Sequence, residues 1–204
     1  MQLKKDKLYA ELLKVAKEEF IRHGYNDANM RTIAKKSGVG LSNIYNYFRD
    51  KDAIFREVLQ PLINDLERLM GEHNKDENLD INIFTSKEYL AKHTKVFVDL
   101  ILQFKDELKL LFYRSHGSSL ENYKEYYINK HTKLGVEYMR LMKEKYPEIN
   151  TEISNFFIHT KSSWWISIIG ELSTHNLSKK MLERFISEYM EFATAGWKKI
   201  MKVK

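Results

Sequence analysis

Two prolines and eight glycines are all that punctuate these 204 residues, and no stretch sustains the period-2 alternation that a half-buried strand requires. Breakers this sparse point to an all-α fold. Apolar residues recur at three- and four-residue spacing, which predicts helices over about 4–23, from Asn29 to Gly38, over 41–48, from a cap at Asp50 to 70, and over 88–103, 105–115, 122–146, 149–174 and 178–201. In the first of these Leu8, Leu12, Val15, Ala16 and Phe20 form the stripe expected to be buried, and Gly24 is placed to end the helix in a left-handed conformation. The stretch "GEHNKDENLDINIFTSK" reads as the one polar linker. No internal repeat or low-complexity segment breaks the pattern.

A hydrophobic content of 43% supplies a core for a chain of this length. Cysteine is absent, so neither a disulfide framework nor a thiolate zinc site can form, and a reducing cytoplasm is the expected compartment. The opening "MQLKKDKLYAELLK" carries charge where a secretory segment needs an apolar block, and "WWISIIGEL" is too short to span a bilayer. No membrane partner is expected. The formal net charge is +6, which permits an acidic partner such as nucleic acid. Four of those six charges belong to the first 60 residues, where twelve basic side chains face eight acidic ones. Lys4, Lys5 and Lys7 open the chain either as a basic arm or as a plain charged helix start.

Within that basic segment stands "SGVGLSNIYNYFRDK". A helix of one or two turns cannot hold itself up in water, so neighbours must clamp it. Gly38 is free to take a positive φ between two short helices, Ala34 lets them approach, and Val39 and Ile44 point back into a shared core. That is helix-turn-helix spacing. The third helix then has an inward side, Ile44 and Phe48, and an outward side of Leu41, Ser42, Asn43, Asn46 and Tyr47, with Tyr45 at the edge. Asparagine can bond adenine through two hydrogen bonds, leucine can touch a thymine methyl group, and tyrosine hydroxyls suit phosphate oxygens.

The 40 residues from Ala16 to Phe55, "AKEEFIRHGYNDANMRTIAKKSGVGLSNIYNYFRDKDAIF", resemble the N-terminal domain of the TetR family of transcriptional regulators. The likeness runs in unbroken register through "GY", "IA", "SGVG", "IYNYF" and "DKDAIF". Gly40 stands where the family usually has a serine cap, Asn29 where it has threonine, and Ser42 where glycine is frequent; these departures bear on base preference. The resemblance implies a helix-turn-helix DNA-binding domain over 1–50 and a helical regulatory domain over 51–204. It also implies contacts to DNA from Arg31 and Thr32, from Leu41, Ser42, Asn43, Tyr45, Asn46 and Tyr47, and from Lys51 to a phosphate. The implied protein is a homodimeric repressor that binds a palindromic double-stranded operator and is released by a small-molecule effector, with no cofactor.

In the larger half, Tyr127, His131, Leu134, Tyr138 and Leu141 share one helix face, and Phe157, Thr160, Trp164, Ile168 and Glu171 share the next. His131 and Glu171 are polar groups on faces expected to be buried, so each is either bonded within the core or placed for a ligand. Phe97, Ile101, Phe104 and Tyr113 are expected to complete the wall of a largely apolar pocket. The final helix carries a long seam that includes Ile186, Tyr189, Ala193 and Trp197, beside Trp165, Ile169 and Leu172 on its neighbour. A four-helix bundle between two subunits, implied by the resemblance, would cover it.

Two other readings stand beside the regulator: a helix-turn-helix used only for protein contacts, and a helical enzyme. The histidines and acids show no H-E-x-x-H pair, nucleophile elbow, phosphate-cradling loop or metal spacing, so no catalytic or metal residue is assigned. Pro61, in "REVLQPLINDL", is expected to kink or break the fourth helix, or else to open a separate segment as its first residue.

Overall fold

The computed structural model describes residues 2–204, with side chains from residue 6 onward. Among the described residues there are α-helices, two short 3-10 segments and no strand. The helices are α1 (Gln2–Asp27), α2 (Met30–Ser37), α3 (Leu41–Ile44), α4 (Lys51–Glu72), α5 (Lys87–Tyr113), α6 (Tyr123–Lys145), α7 (Asn155–Thr174) and α8 (Lys179–Ile200), with the 3-10 segments between α4 and α5. No described helix is long and apolar enough to cross a membrane.

Caps explain most of the boundaries. Asn29 accepts a hydrogen bond from the Arg31 amide at 2.8 Å and starts α2; Gly38, at φ 68°, ends it in the left-handed region that a side chain would resist. Asp50 accepts from the Ala53 amide at the start of α4. Ser154 and Ser178 cap α7 and α8 in the same way. Gly40 precedes α3 without a side-chain bond, and α3 is only four residues long before the chain turns through Tyr45–Tyr47.

The boundary expected between helices over 88–103 and 105–115 is present inside α5, where Phe104 departs from helical geometry at φ −121° and ψ 25° and joins two helical segments across a kink. No breaker residue lies between them, so the ladder bends and resumes. Several expectations are corrected. Helix α4 runs through Pro61 without a non-helical residue, so Pro61 neither breaks it nor opens a new segment; its ring removes one N–H that the Glu57 carbonyl would otherwise receive. Helix α7 begins at Asn155, six residues later than its apolar pattern suggests, because Ile149 and Ile153 pack from non-helical chain into a cluster with Leu79, Phe84 and Met142. Leu8 lies 39% exposed rather than buried.

The chain divides into two compact units: residues 1–64 with 106–124, and residues 65–105 with 125–204. In the first, Leu12, Ala16, Phe20, Ile33, Val39, Ile44 and Phe55 form the core. Arg114 ties the returning segment to α1 by donating to the carbonyls of Ile21 and Arg22. In the second unit α6 and α7 pass so closely that a Cβ on Gly135 would lie 2.8 Å from Ile158, tighter than side chains tolerate.

Candidate functional site

The first unit presents α3. Ile44 is fully buried and Phe48 nearly so, and the Phe48 ring stacks on Tyr9 of α1 at 5.6 Å. Glu19, 3% exposed, holds the helix pair from beneath, accepting from the Asn29 amide at 3.3 Å and pairing with Lys36 at 3.4 Å. A four-residue helix is thereby clamped by groups outside it, as its length demands.

The opposite side is open. Ser42, Asn43, Tyr45 and Asn46 are exposed, and Leu41 and Tyr47 are half-buried at its edge. Asn43, Asn46 and Tyr47, with Leu8 of α1, line a concavity on this face. The Asn46 amide reaches Asn43 at only 3.5 Å, a weak contact that a better partner can displace. Arg31 is exposed and Thr32 half-buried on α2. Lys51 donates to the Asn26 carbonyl at 3.0 Å and lies 4.8 Å from the Tyr25 ring centroid. Burial lowers its pKa, with Asp27 acting in the opposite direction. An ammonium has three donors, so two remain for an anion. Side chains of Lys4 and Lys5 lie outside the described residues.

The second unit contains a half-open cavity of about 300 Å³. Its wall is mainly apolar: Leu69, Val96, Phe97, Met139, Ile158, Trp165 and Trp197 contribute. Trp165 stacks on Tyr189 at 4.7 Å and meets the Phe97 ring edge-on at the same distance. The polar groups gather around two imidazoles. The His73 and His131 rings meet edge to face at 5.3 Å, and His131 Nδ1 lies 2.9 Å from the Ser162 hydroxyl. Burial, with His73 adding repulsion, pushes the His131 pKa down to about 3. Burial pushes Tyr89 and Tyr189 up to about 12. Both histidines are therefore neutral at pH 7.

Of the expected pocket residues, Phe97 and His131 line this cavity. Ile101 and Phe104 are buried off its wall. Tyr127 is buried and donates to the Leu66 carbonyl at 3.0 Å. Tyr113 is 43% exposed and belongs to the first unit. Trp164 is 43% exposed, with the Lys161 ammonium 3.8 Å above its ring. Glu171 is exposed, its carboxylate 3.9 Å from His175. The expected face of α7 is displaced by one residue: Trp165 and Ser162 face inward, not Trp164 and Glu171. An all-round apolar helix offers no period to fix its rotation.

The expected dimer seam is likewise occupied within one chain. Trp165, Ile169, Leu172 and Ile186 are buried, and Tyr189, Ala193 and Trp197 line the cavity. The apolar side chains left outside are different ones, Phe156 at 79% exposure and Phe192 at 62%, with Trp164, Met181 and Phe185. His73, Tyr89 and His93 also line the cavity and carry no local signal of it: the first lies in the polar stretch after α4, and the other two fall on no motif in α5.

Comparison with known proteins agrees with this geometry. The model of "Bacterial regulatory proteins, tetR family" matches residues 12–58. A sequence relative is YdgC of Bacillus subtilis, an uncharacterized HTH-type transcriptional regulator, 33% identical over 98 residues, or 48% of this chain and 47% of YdgC. The chain spans about half the length of the sequence relatives it matches. Among solved structures, NalD, the secondary repressor of the MexAB-OprM multidrug efflux pump in Pseudomonas aeruginosa, superposes with a TM-score of 0.66 at 16% identity, over 94% of this chain and 96% of NalD. FadR of Bacillus subtilis, solved with stearoyl-CoA, does so with a TM-score of 0.59 at 17% identity, over 89% and 97%. These likenesses establish a shared fold.

Proposed function

We propose that this chain, whose residues 12–58 match the model of bacterial regulatory proteins of the tetR family, is a DNA-binding transcriptional repressor released by a largely apolar small molecule. The observation that carries the reading is the division of labour on α3: Ile44 and Phe48 are buried, while Ser42, Asn43, Tyr45 and Asn46 are exposed. In this reading α3 enters the major groove, its asparagine amides read base edges, and Arg31, Thr32, Tyr47 and Lys51 contact phosphates. The largely apolar cavity supports an effector site. NalD is described as a repressor and FadR was solved with an acyl-CoA, which supports both halves of the reading by analogy.

Two copies bind a palindrome in this reading, joined through the apolar residues left outside the fold, Phe156, Trp164, Phe185 and Phe192. The test is fluorescence anisotropy on DNA upstream of the chain's own gene. Binding that weakens steeply as salt rises is expected; affinity indifferent to salt would leave protein contact as the role of the helix-turn-helix.

A further inference from the structure

The cavity's polar end has a fixed hydrogen-bonding sense. The Asn74 side chain donates from Nδ2 to the Leu134 carbonyl at 3.2 Å, which turns its Oδ1 toward His73 as an acceptor. His73 Nδ1 lies 2.6 Å from that oxygen and must therefore carry the N–H. Burial lowers the His73 pKa, so the ring holds one proton, and it is on Nδ1. The other nitrogen, Nε2, is a bare acceptor with no partner among the described residues on a ring that lines the cavity. No buried side-chain nitrogen or oxygen among the described residues lacks a partner, so Nε2 is open to water in the cavity, and a ligand that supplies a donor there takes the place of that water.

The carboxylates around the cavity disfavour a cation. The lining carboxylates are engaged: Glu72 with Arg68 at 3.4 Å and Glu77 with Lys92 at 3.9 Å, so no unpaired carboxylate among the described residues awaits a cation. An anion beside the imidazoles would need proton uptake by rings that burial keeps neutral. Lys161 also lines the cavity, with its ammonium 3.8 Å over the Trp164 ring, and burial lowers its pKa.

We propose that the cavity takes an uncharged, largely apolar molecule bearing a hydroxyl, which donates its hydrogen bond to Nε2 of His73. The inference rests on the reading of this cavity as the effector site. An apolar cavity of about 150 Å³ accommodates benzene, so the volume here suits about ten to twelve heavy atoms. A medium-chain alcohol or a two-ring phenol has that size.

The probes are 1-decanol and its isomer 1-methoxynonane, which keeps the oxygen and loses the donor. Trp165 and Trp197 line the cavity, so intrinsic fluorescence reports occupancy. The alcohol is expected to bind about tenfold more tightly than the ether, and His73→Phe should bring that ratio to about one. Equal affinities in the wild-type protein would overturn the proposal without need of the variant. A ratio retained in His73→Phe would move the donor's partner elsewhere, and tighter binding of decanoate or decyltrimethylammonium would overturn the neutral-ligand class. If none of the four binds, the cavity is not an effector site and the broader reading fails with it.

Discussion

In the proposed complex with DNA, Asn43 and Lys51 have different tasks. Asn43 is exposed on α3 with only a 3.5 Å contact to Asn46, so its amide is available to a base edge; Lys51 is fixed to the Asn26 carbonyl at the start of α4, so its remaining protons suit a phosphate. Asn43→Ala should therefore relax preference at one operator base pair by about 1–3 kcal/mol. Lys51→Ala should weaken all sequences alike and flatten the salt slope by about one. Competition binding with single-base operator variants separates the two, and identical losses for both proteins on every sequence would remove base reading from Asn43. His131 offers a second test, because its pKa is about 3 when folded against 6.5 in the ordinary state. At pH 7 the ring is neutral in both states. As pH falls below about 6.5 the unfolded chain takes up a proton that the folded chain refuses, so stability declines toward pH 3, by up to about 2 kcal/mol at pH 5. Urea midpoints at pH 7 and pH 5 should show this loss, and His131→Gln should reduce it; an undiminished loss in the variant would mean that other groups cause it. At this scale the turn glycine and the Asn29 cap were legible, since φ preference and capping are local properties. His73 was not, because its role depends on Asn74 and Leu134, the latter 61 positions away.

Helices α7 and α8 show what periodicity can and cannot decide. The seam through Ile186, Tyr189, Ala193 and Trp197 was legible as apolar, yet it faces the chain's own core and cavity. Spacing identifies a face that must be covered and is silent on whether the same chain covers it. For the proposed dimer the uncovered residues make the better test: Phe192→Glu should give monomers in light scattering, whereas Ala193→Glu should leave the assembly state unchanged and abolish cavity binding. A dimer that survives Phe192→Glu would exclude that face of α8. Helix α4 supplies a fourth prediction. Its residues to Asn64 fall in the first unit and those from Asp65 in the second, and it is helical throughout despite Pro61. Pro61→Ala restores an N–H to the Glu57 carbonyl and should raise thermal stability. If the missing bond lets the helix yield when a ligand binds, the variant should hold DNA with less response to ligand. An unchanged ratio of the two DNA affinities, with and without ligand, would show that Pro61 has no part in the switch.

The all-helical architecture and the helix-turn-helix were legible because both rest on short-range signals: few breakers, repeating apolar spacing, and a contiguous motif. The composition of the two units was not, because residues 106–124 return to the first unit through contacts such as Arg114 with Ile21 and Arg22, which no local pattern announces. The cavity was legible only in part, since its polar end comes from chain that reads as linker. The account as a whole rests on DNA recognition by α3, with release by a molecule in the second unit following from it. The most direct measurement is anisotropy of a palindromic fragment, selected by the protein from the encoding organism's genomic DNA, against a scrambled fragment at about 50 and 200 mM salt. The account predicts a preference for the selected fragment of at least about a thousandfold and an affinity that falls by a similar factor across that salt range. Equal affinity for both fragments, or binding that salt does not weaken, would contradict it.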